Sequence, residues 1–303
     1  MTNNRDWETI FRSWIKPSSD SEQTKYENAE GMIREAISKS EKLKSRTIKV
    51  FAQGSYRNNT NVRLESDVDI CVLCSDTAFC DYTFAQEFTK QDVNLGPAEY
   101  LYNYFRNDVH AALVAYFGSA GISRGSKAFD VHETSRHVDA DVVACFEHRR
   151  YTTRNWSDGF NYETGTEFIA DDGKMVINWP EQHYANGVAK NTATGSRFKY
   201  LVRILKRLRN EMADNKIKAA EQIPSFLIEC LMWNVPNPNI SGQDYKADMR
   251  SALAFLFNNT LSVEKCIDWG EISERKYLFR GSNWTWGQGH NFISAAWDYI
   301  GFE

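Results

Sequence analysis

The chain has 303 residues, of which 42% are hydrophobic and 25% charged, as is ordinary for a globular protein with one or two domains. It has no apolar run long enough to span a bilayer and no apolar signal core near its N-terminus, so we expect a cytoplasmic protein without a membrane partner. Its formal net charge of −4 argues against a stable nucleic-acid partner bound over the whole surface, so any anion site has to be local.

The N-terminal part is predicted to mix helices and strands. Apolar residues at helical spacing predict a helix over 19–44, with Ser19 among its capping candidates. Two β-rich runs, 47–52 and 67–74, flank a Gly-Ser pair. A second helix is predicted next, followed by two strands and a hairpin, at 97–117, 127–131, 137–146 and 167–179.

From residue 196 onward the sequence becomes helical. Helices are predicted over 196–212, 224–233, 244–258, 262–269 and 291–299. A polar stretch over 182–196 is predicted to be the seam between two lobes. The sequence therefore predicts an α+β fold, with an N-terminal lobe over 1–190 and a helical C-terminal lobe over 191–303.

Two aspartates begin the second predicted strand. Asp67 and Asp69 are two residues apart, so they project from one face of a strand with Cα atoms about 7 Å apart. Carboxylates at this spacing suit a pair of divalent cations, and oxygen ligands favour Mg²⁺ or Mn²⁺. The alternative interpretation is a solvated strand end, and the two aspartates taken alone favour it.

A third acid is expected in the predicted strand over 137–146. Asp139 and Asp141 share a face there, and the apolar run 142–146 suits a buried strand. An acidic side chain at the start of such a buried strand destabilises the fold unless it is paired or bound to a metal ion. Asp141 directly precedes the apolar run, so we select it as the third ligand, with Asp139 as the fallback. The alternative interpretation pairs this acid with Arg149 or Arg150.

A phosphate-binding turn is predicted directly after the first strand. Gly54 lets the backbone approach a ligand closely, and free N–H groups at a helix start can hold a triphosphate together with the Ser55 hydroxyl. The alternative is an ordinary turn, in which Gly-Ser pairs are common. The short spacing to Asp67 and Asp69 favours the phosphate site.

Basic residues on the helix after Ser196 supply further candidates. Lys199, Arg203 and Lys206 fall on one side of this helix. We expect a solvated basic face for most of them, with at least one reaching a phosphate. Ser225, beside Pro224 at a predicted helix start, is a second hydroxyl donor.

Together these segments resemble a known family. Phe51-Ala52-Gln53-Gly54-Ser55-Tyr56 and Ser66-Asp67-Val68-Asp69 resemble the GS…DxD signature of the DNA polymerase β-like nucleotidyltransferase superfamily. Five later segments are similar to the bacterial cGAS/DncV-like nucleotidyltransferases, or CD-NTases, at 140–143, 147–151, 179–184, 202–210 and 223–229. The resemblance implies a polymerase β-like nucleotidyltransferase lobe, a mixed sheet with long helices, packed on an OAS-like helical lobe.

The resemblance also implies an activity. CD-NTases of anti-phage CBASS systems condense ATP and other nucleoside triphosphates into a cyclic di- or trinucleotide second messenger and release pyrophosphate. The product activates a separate effector protein, and a regulatory protein partner is part of some systems. This chain has Ala144 where relatives often have proline, and its C-terminus, Gly301-Phe302-Glu303, does not support regulation by C-terminal conjugation.

The implied site residues fall into three groups. Two Mg²⁺ (or Mn²⁺) ions would be bound by Asp67, Asp69 and Asp141, and the donor triphosphate by Gly54 and Ser55. From the helical lobe, Lys206 and Ser225 match positions that contact phosphates, and Phe226 matches a position that stacks on a base.

Two rival functions stay open. The first is an enzyme of the same fold that transfers a single nucleotide to RNA, a protein or a small molecule. An RNA substrate calls for an extended basic track, which the acidic total hardly supports. The second rival is a catalytically silent nucleotide sensor, and the three intact aspartates count against it. The sequence does not specify the bases, the linkage or the ring size.

Overall fold

A computed structural model describes residues 5–17, 19–62, 67–85, 89, 92–93, 96–154, 159–242 and 244–303. None of the helices within these ranges is long and apolar enough to cross a membrane. The described residues form two compact units. The first, called the helical unit, consists of the described residues within Met1–Ser18, Asn58–Glu65 and Glu181–Glu303. The second, called the sheet unit, consists of those within Ser19–Arg57 and Ser66–Pro180. The predicted division at residue 190 stays a prediction.

The helices of the described residues are α1 (Trp7–Trp14), α2 (Asp20–Ser38), α3 (Gly54–Arg57), α4 (Tyr102–Phe117), α5 (Pro180–Ala193), α6 (Arg197–Asp214), α7 (Lys218–Glu221), α8 (Ser225–Trp233), α9 (Tyr245–Asn259), α10 (Val263–Cys266) and α11 (Trp286–Ile300). The strands are β1 (Ile48–Ala52), β2 (Val68–Asp81), β3 (Ile122–Arg124), β4 (Phe129–Val131), β5 (Ala140–Arg154), β6 (Phe160–Ile169) and β7 (Met175–Asn178).

The sheet unit is built on a mixed sheet. The strand order is β1-β2-β5-β4-β3, and β6 pairs with β5 and β7. Among the described strands only β2 and β5 are parallel neighbours; every other pair is antiparallel. Helices α2 and α4 pack on each other and on the sheet. Their apolar faces bury Ile33 and Phe105, and the Phe105 ring stacks on Phe146 of β5 at 5.3 Å.

The helical unit has its core around α6 and α8. Helix α6 is amphipathic and buries Leu201 and Leu205, and α8 buries six of its nine residues. Helix α1, which the sequence did not predict, packs on this core through Trp7 and Phe11, which are four positions apart and share one face.

Most predicted elements are confirmed, with shifted ends. Helix α2 begins after a capping box in which Ser19 N–H donates to Glu22 at 2.7 Å, as its sequence suggested. It ends at Ser38 instead of continuing to residue 44, because the serine-rich stretch that follows adopts turns. The stretch over 182–196, which was predicted to be the seam between the lobes, lies largely within α5 (Pro180–Ala193).

Candidate active site

The strand register brings three aspartates into one row. Asp69 on β2 pairs with Asp141 on the parallel strand β5, and Asp141 pairs with Asp130 on the antiparallel strand β4. Directly paired residues of neighbouring strands point to the same face of a sheet. Asp69, Asp141 and Asp130 are therefore called the carboxylate row. Asp67, two residues before Asp69, lies toward the same face, directly before the first residue of β2.

The carboxylates of this face repel one another. Burial, a hydrogen bond with Asp130 and the charge of Asp69 raise the pKa of Asp141 to about 7. Burial and the charges of Asp139 and Asp130 also raise the pKa of Asp67. Such crowding of negative charge is offset when a cation binds between the groups.

The two candidate third acids have different partners. Asp139 accepts a hydrogen bond from the Glu133 backbone N–H at 2.6 Å, so its side chain holds the loop before β5. Asp141 instead lies in the carboxylate row beside Asp69. The arginines of the alternative pairing have other partners, since Arg149 pairs with Glu147 and Arg150 with Asp81, while Asp141 shares a hydrogen bond with Asp130.

The donor chemistry of this face suits a hard divalent cation. Carboxylate oxygens are the ligands that Mg²⁺ and Mn²⁺ prefer. Within the described ranges, no three His, Cys, Asp or Glu side chains already surround a single point as a metal cage does. The strand ladder fixes the backbone of Asp69 and Asp141, whereas each carboxylate can rotate about its side-chain bonds toward a shared cation. Asp67, Asp69 and Asp141 are thus candidate ligands.

The Gly54-Ser55 pair lies against the carboxylate row. Gly54 adopts a left-handed backbone with φ of 63°, and a Cβ at this position would lie 2.0 Å from Asp69 Oδ2. The backbone N–H of Gln53 donates to the Asp69 carbonyl at 2.8 Å, which closes the turn onto β2. Only glycine allows this close approach, and Ser55 follows in the short helix α3.

Lys206 of the helical unit has protein partners. Its side chain is 2% exposed, its Nζ pairs with Glu229, and it donates to the Thr60 carbonyl at 3.1 Å. The phosphate contact of Lys206 stays a prediction. To make it, the Lys206 ammonium group would have to bind the phosphate in competition with the Glu229 carboxylate or in addition to it.

The other two candidates of the helical unit lie at the start of α8. Ser225 Oγ accepts a hydrogen bond from Arg209 at 2.8 Å. The Phe226 ring lies between His183 and Trp284, with centroid distances of 5.9 and 5.8 Å. Both residues are half-buried, and their ligand roles also stay predictions.

The expected solvated basic face on α6 was wrong. Lys199, Arg203 and Lys206 are all buried, because α6 is packed on more than one side. Two acids escaped the sequence reasoning: Asp130 and Glu229. Asp130 sits between Phe129 and Val131, and Glu229 lies inside an apolar helix, so each was an isolated acid in an apolar run, which is the available signal.

Comparison with known proteins gives two family models that match the chain. They describe a nucleotidyltransferase domain, over residues 32–116, and a cGAS/DncV-like nucleotidyltransferase C-terminal helical domain, over residues 185–301. The chain is 46% identical, over 97% of its length, to the cyclic dipyrimidine nucleotide synthase CdnE of Legionella pneumophila, and covers 98% of it. It is 43% identical to that of Cecembia lonarensis, with the same shares covered.

A solved structure shows the same fold. The CdnE cyclic dinucleotide synthase of Elizabethkingia meningoseptica with GTP and Apcpp superposes with a TM-score of 0.78 and 31% identity. The likeness covers 97% of this chain and 99% of that one. Sequence and fold similarity therefore extend over the sheet unit and the helical unit alike.

Proposed function

Because the chain belongs to the cGAS/DncV-like nucleotidyltransferases, we propose that it condenses two nucleoside triphosphates into a cyclic dinucleotide, with pyrimidine nucleotides among its substrates. The choice of a cyclic product with pyrimidine bases rests on the names of its Legionella and Cecembia relatives. The structural observation that carries the proposal is the pairing of Asp69 with Asp141 beside the Gly54 backbone.

The reaction is a pair of nucleotidyl transfers. In each, a ribose hydroxyl oxygen forms a bond to the α-phosphorus of a nucleoside triphosphate, and the bond to the β-phosphate oxygen breaks, releasing pyrophosphate. Bound Mg²⁺ or Mn²⁺ would activate the hydroxyl and offset charge on the leaving group. In this proposal Asp67, Asp69 and Asp141 hold two such ions, and the Asp141 carboxylate takes up the hydroxyl proton.

The remaining roles concern the substrate. The backbone at Gly54 and the Ser55 hydroxyl hold the donor triphosphate. Lys206 and Ser225 contact its phosphates, and Phe226 stacks on a base. After the first transfer, the linear intermediate re-enters the site for the second bond that closes the ring.

The biological setting follows from the family. We place the enzyme in the cytoplasm, where nucleoside triphosphates are available, and its product as the signal for a separate anti-phage effector protein. A regulatory protein partner is a further part of this proposal.

The test is incubation of the protein with α-³²P-labelled ATP, GTP, CTP and UTP, singly and in pairs, with Mg²⁺ or Mn²⁺. Phosphatase-resistant products with the mass of a cyclic dinucleotide containing CMP or UMP support the proposal, and Asp69→Asn is the inactive control. Label transferred to added RNA or protein, without a cyclic product, would establish single-nucleotide transfer instead. Binding of nucleotide without any transfer would establish a sensor.

A further inference from the structure

Three charged side chains of the helical unit converge on two residues of one short segment. The segment, residues 58–62, joins helix α3 to the residues before strand β2, and Asn58, Thr60 and Asn61 are buried in it. The charged side chains are Arg203 and Lys206 of α6 and Glu229 of α8. We call these three the Asn59–Thr60 clamp.

Arg203 donates hydrogen bonds to two oxygen atoms of Asn59. Its Nη1 donates to the Asn59 carbonyl at 2.7 Å and to Asn59 Oδ1 at 3.0 Å. Arg203 is 2% exposed, and burial lowers its pKa to about 10. No carboxylate of the described residues forms an ion pair with it, so its buried charge is directed at the segment. Asn59 has a left-handed backbone, with φ of 52°, that orients both acceptors.

Thr60 is held from both of its sides. Its hydroxyl donates to Glu229 Oε1 at 2.8 Å, and its carbonyl accepts from Lys206 Nζ at 3.1 Å. Lys206 and Glu229 pair with each other, and His183 Nε2 lies 3.7 Å from the second Glu229 oxygen. Both polar groups of Thr60 that face the helices are therefore satisfied by charged partners.

The charged groups of this cluster are better suited to fixing one conformation of residues 58–62 than to stabilising the fold. Buried ion pairs stabilise a fold little or not at all relative to apolar residues of similar size, because desolvation offsets their attraction. In some proteins buried ionic groups instead select one specific arrangement of the groups they bind. Here that arrangement is imposed on the segment directly following Gly54–Arg57 and preceding Asp67.

We propose that Arg203 and Glu229, with Lys206, are positioning residues: they hold residues 58–62 in one conformation and so restrain the end of the Gly54–Arg57 turn that these residues directly follow. This inference rests on the proposed function, because it assigns the restraint to the turn that holds the triphosphate. It also gives Lys206 a role besides the proposed phosphate contact.

The experiment compares Arg203→Lys with Arg106→Lys. Arg106 on α4 is also buried and donates to two main-chain carbonyls, those of Gly125 at 2.8 Å and Ser126 at 3.0 Å, so the control alters a similar buried group in the sheet unit. Hydrogen exchange, followed by mass spectrometry, is measured on peptides covering residues 58–62. Initial rates of product formation give kcat and KM, and thermal melts give the stability of each variant.

We expect exchange in residues 58–62 to become about tenfold faster in Arg203→Lys and to stay unchanged in Arg106→Lys. We also expect kcat to fall about tenfold in Arg203→Lys at a Tm close to that of the control. Thr60→Val removes the hydroxyl but leaves the Lys206–Glu229 pair, so it gives a second, milder loss of protection if Arg203→Lys does not fold.

Wild-type exchange in Arg203→Lys and Thr60→Val would overturn the inference, as would a loss of rate that merely follows the folded fraction. The exchange measurement needs no turnover. A wild-type protein that forms no cyclic product therefore defeats the proposed function, while unchanged exchange defeats the clamp.

Discussion

Asp130 lies directly opposite Asp141 on the adjacent antiparallel strand, and the two carboxyl groups share a hydrogen bond. Asp130 is exposed, whereas Asp141 is half-buried. The outer acid can therefore orient the inner one, in the way that hydrogen-bond partners behind metal-ligating carboxylates do.

The first prediction concerns Asp130. Asp130→Ala removes the partner of Asp141, and we expect a loss of about tenfold in kcat/KM. Asp130→Asn should recover most of this loss, because its amide donates a hydrogen bond to the Asp141 carboxylate. Steady-state rates of cyclic product formation test it; equal rates for Asp130→Ala and wild type would remove Asp130 from the site.

The second prediction separates Asp141 from Asp139. Asp141→Asn loses a proposed cation ligand, so we expect activity to fall by a factor on the order of 100 or more. Asp139→Asn keeps an oxygen that accepts from Glu133 N–H, and its activity should stay within about threefold of wild type. Mn²⁺ binding, followed by electron paramagnetic resonance with a non-hydrolysable nucleotide analogue, should fall in the first variant only. The reverse pattern would make Asp139 the third ligand.

The third prediction uses Gly54. A methyl group there would lie 2.0 Å from Asp69 Oδ2, so Gly54→Ala must displace the carboxylate or the turn. We expect Gly54→Ala to abolish formation of the cyclic product while the circular dichroism spectrum of the protein stays unchanged. Gly173→Ala is the matched control, because Gly173 also has a positive φ, of 82°, but a methyl group added there would point into open space. Both variants bear a backbone cost of about 1 kcal/mol, so only the activity assay separates them.

The fourth prediction is a pH dependence of stability. Burial raises the pKa of Glu229, but Lys206 and His183 outweigh it and lower this pKa from 4.5 to about 2. A lowered folded-state pKa gives stability that is complete above pH 4.5 and lost as the pH falls toward 2. The Glu229→Gln variant should be less stable than wild type by roughly 3 kcal/mol at pH 7.

Urea unfolding at pH 7, 5, 4 and 3 measures this difference, which should be constant down to pH 5 and shrink below it. Glu41→Gln, at an exposed position of the sheet unit, is the control and should differ little from wild type at every pH. A wild-type advantage over Glu229→Gln that stays constant to pH 3 would contradict the assignment.

The sequence was a better guide to which aspartates of one strand share a face than to which strands are neighbours. Alternation placed Asp67 with Asp69, and Asp139 with Asp141, because side chains of a strand alternate with period two. The choice between Asp139 and Asp141 depended on register, which is a property of paired strands and not of either strand alone. Asp130 was missed for the same reason, since it reaches the row only through the pairing of β4 with β5.

The sequence was a poorer guide to which residues are buried. Helical spacing showed that Lys199, Arg203 and Lys206 share a side of α6, but periodicity does not reveal how many sides a helix buries. Polar composition indicated a seam between lobes over residues 182–196 and gave no sign of the helix that most of them form, α5. In both segments tertiary contacts decide the environment, and those contacts come from residues far away in the chain.

The parallel pairing of β2 with β5 has a consequence for how the protein is made. Parallel neighbours cannot be joined by a tight turn, and here the connection contains α4, β3 and β4. Closing so long a loop is slow, and it waits for β5 to leave the ribosome. A nascent chain that ends before β5 therefore carries the Gly-Ser turn, Asp67 and Asp69 but lacks Asp141, so the three carboxylates of the proposed site come together only after β5 has been made.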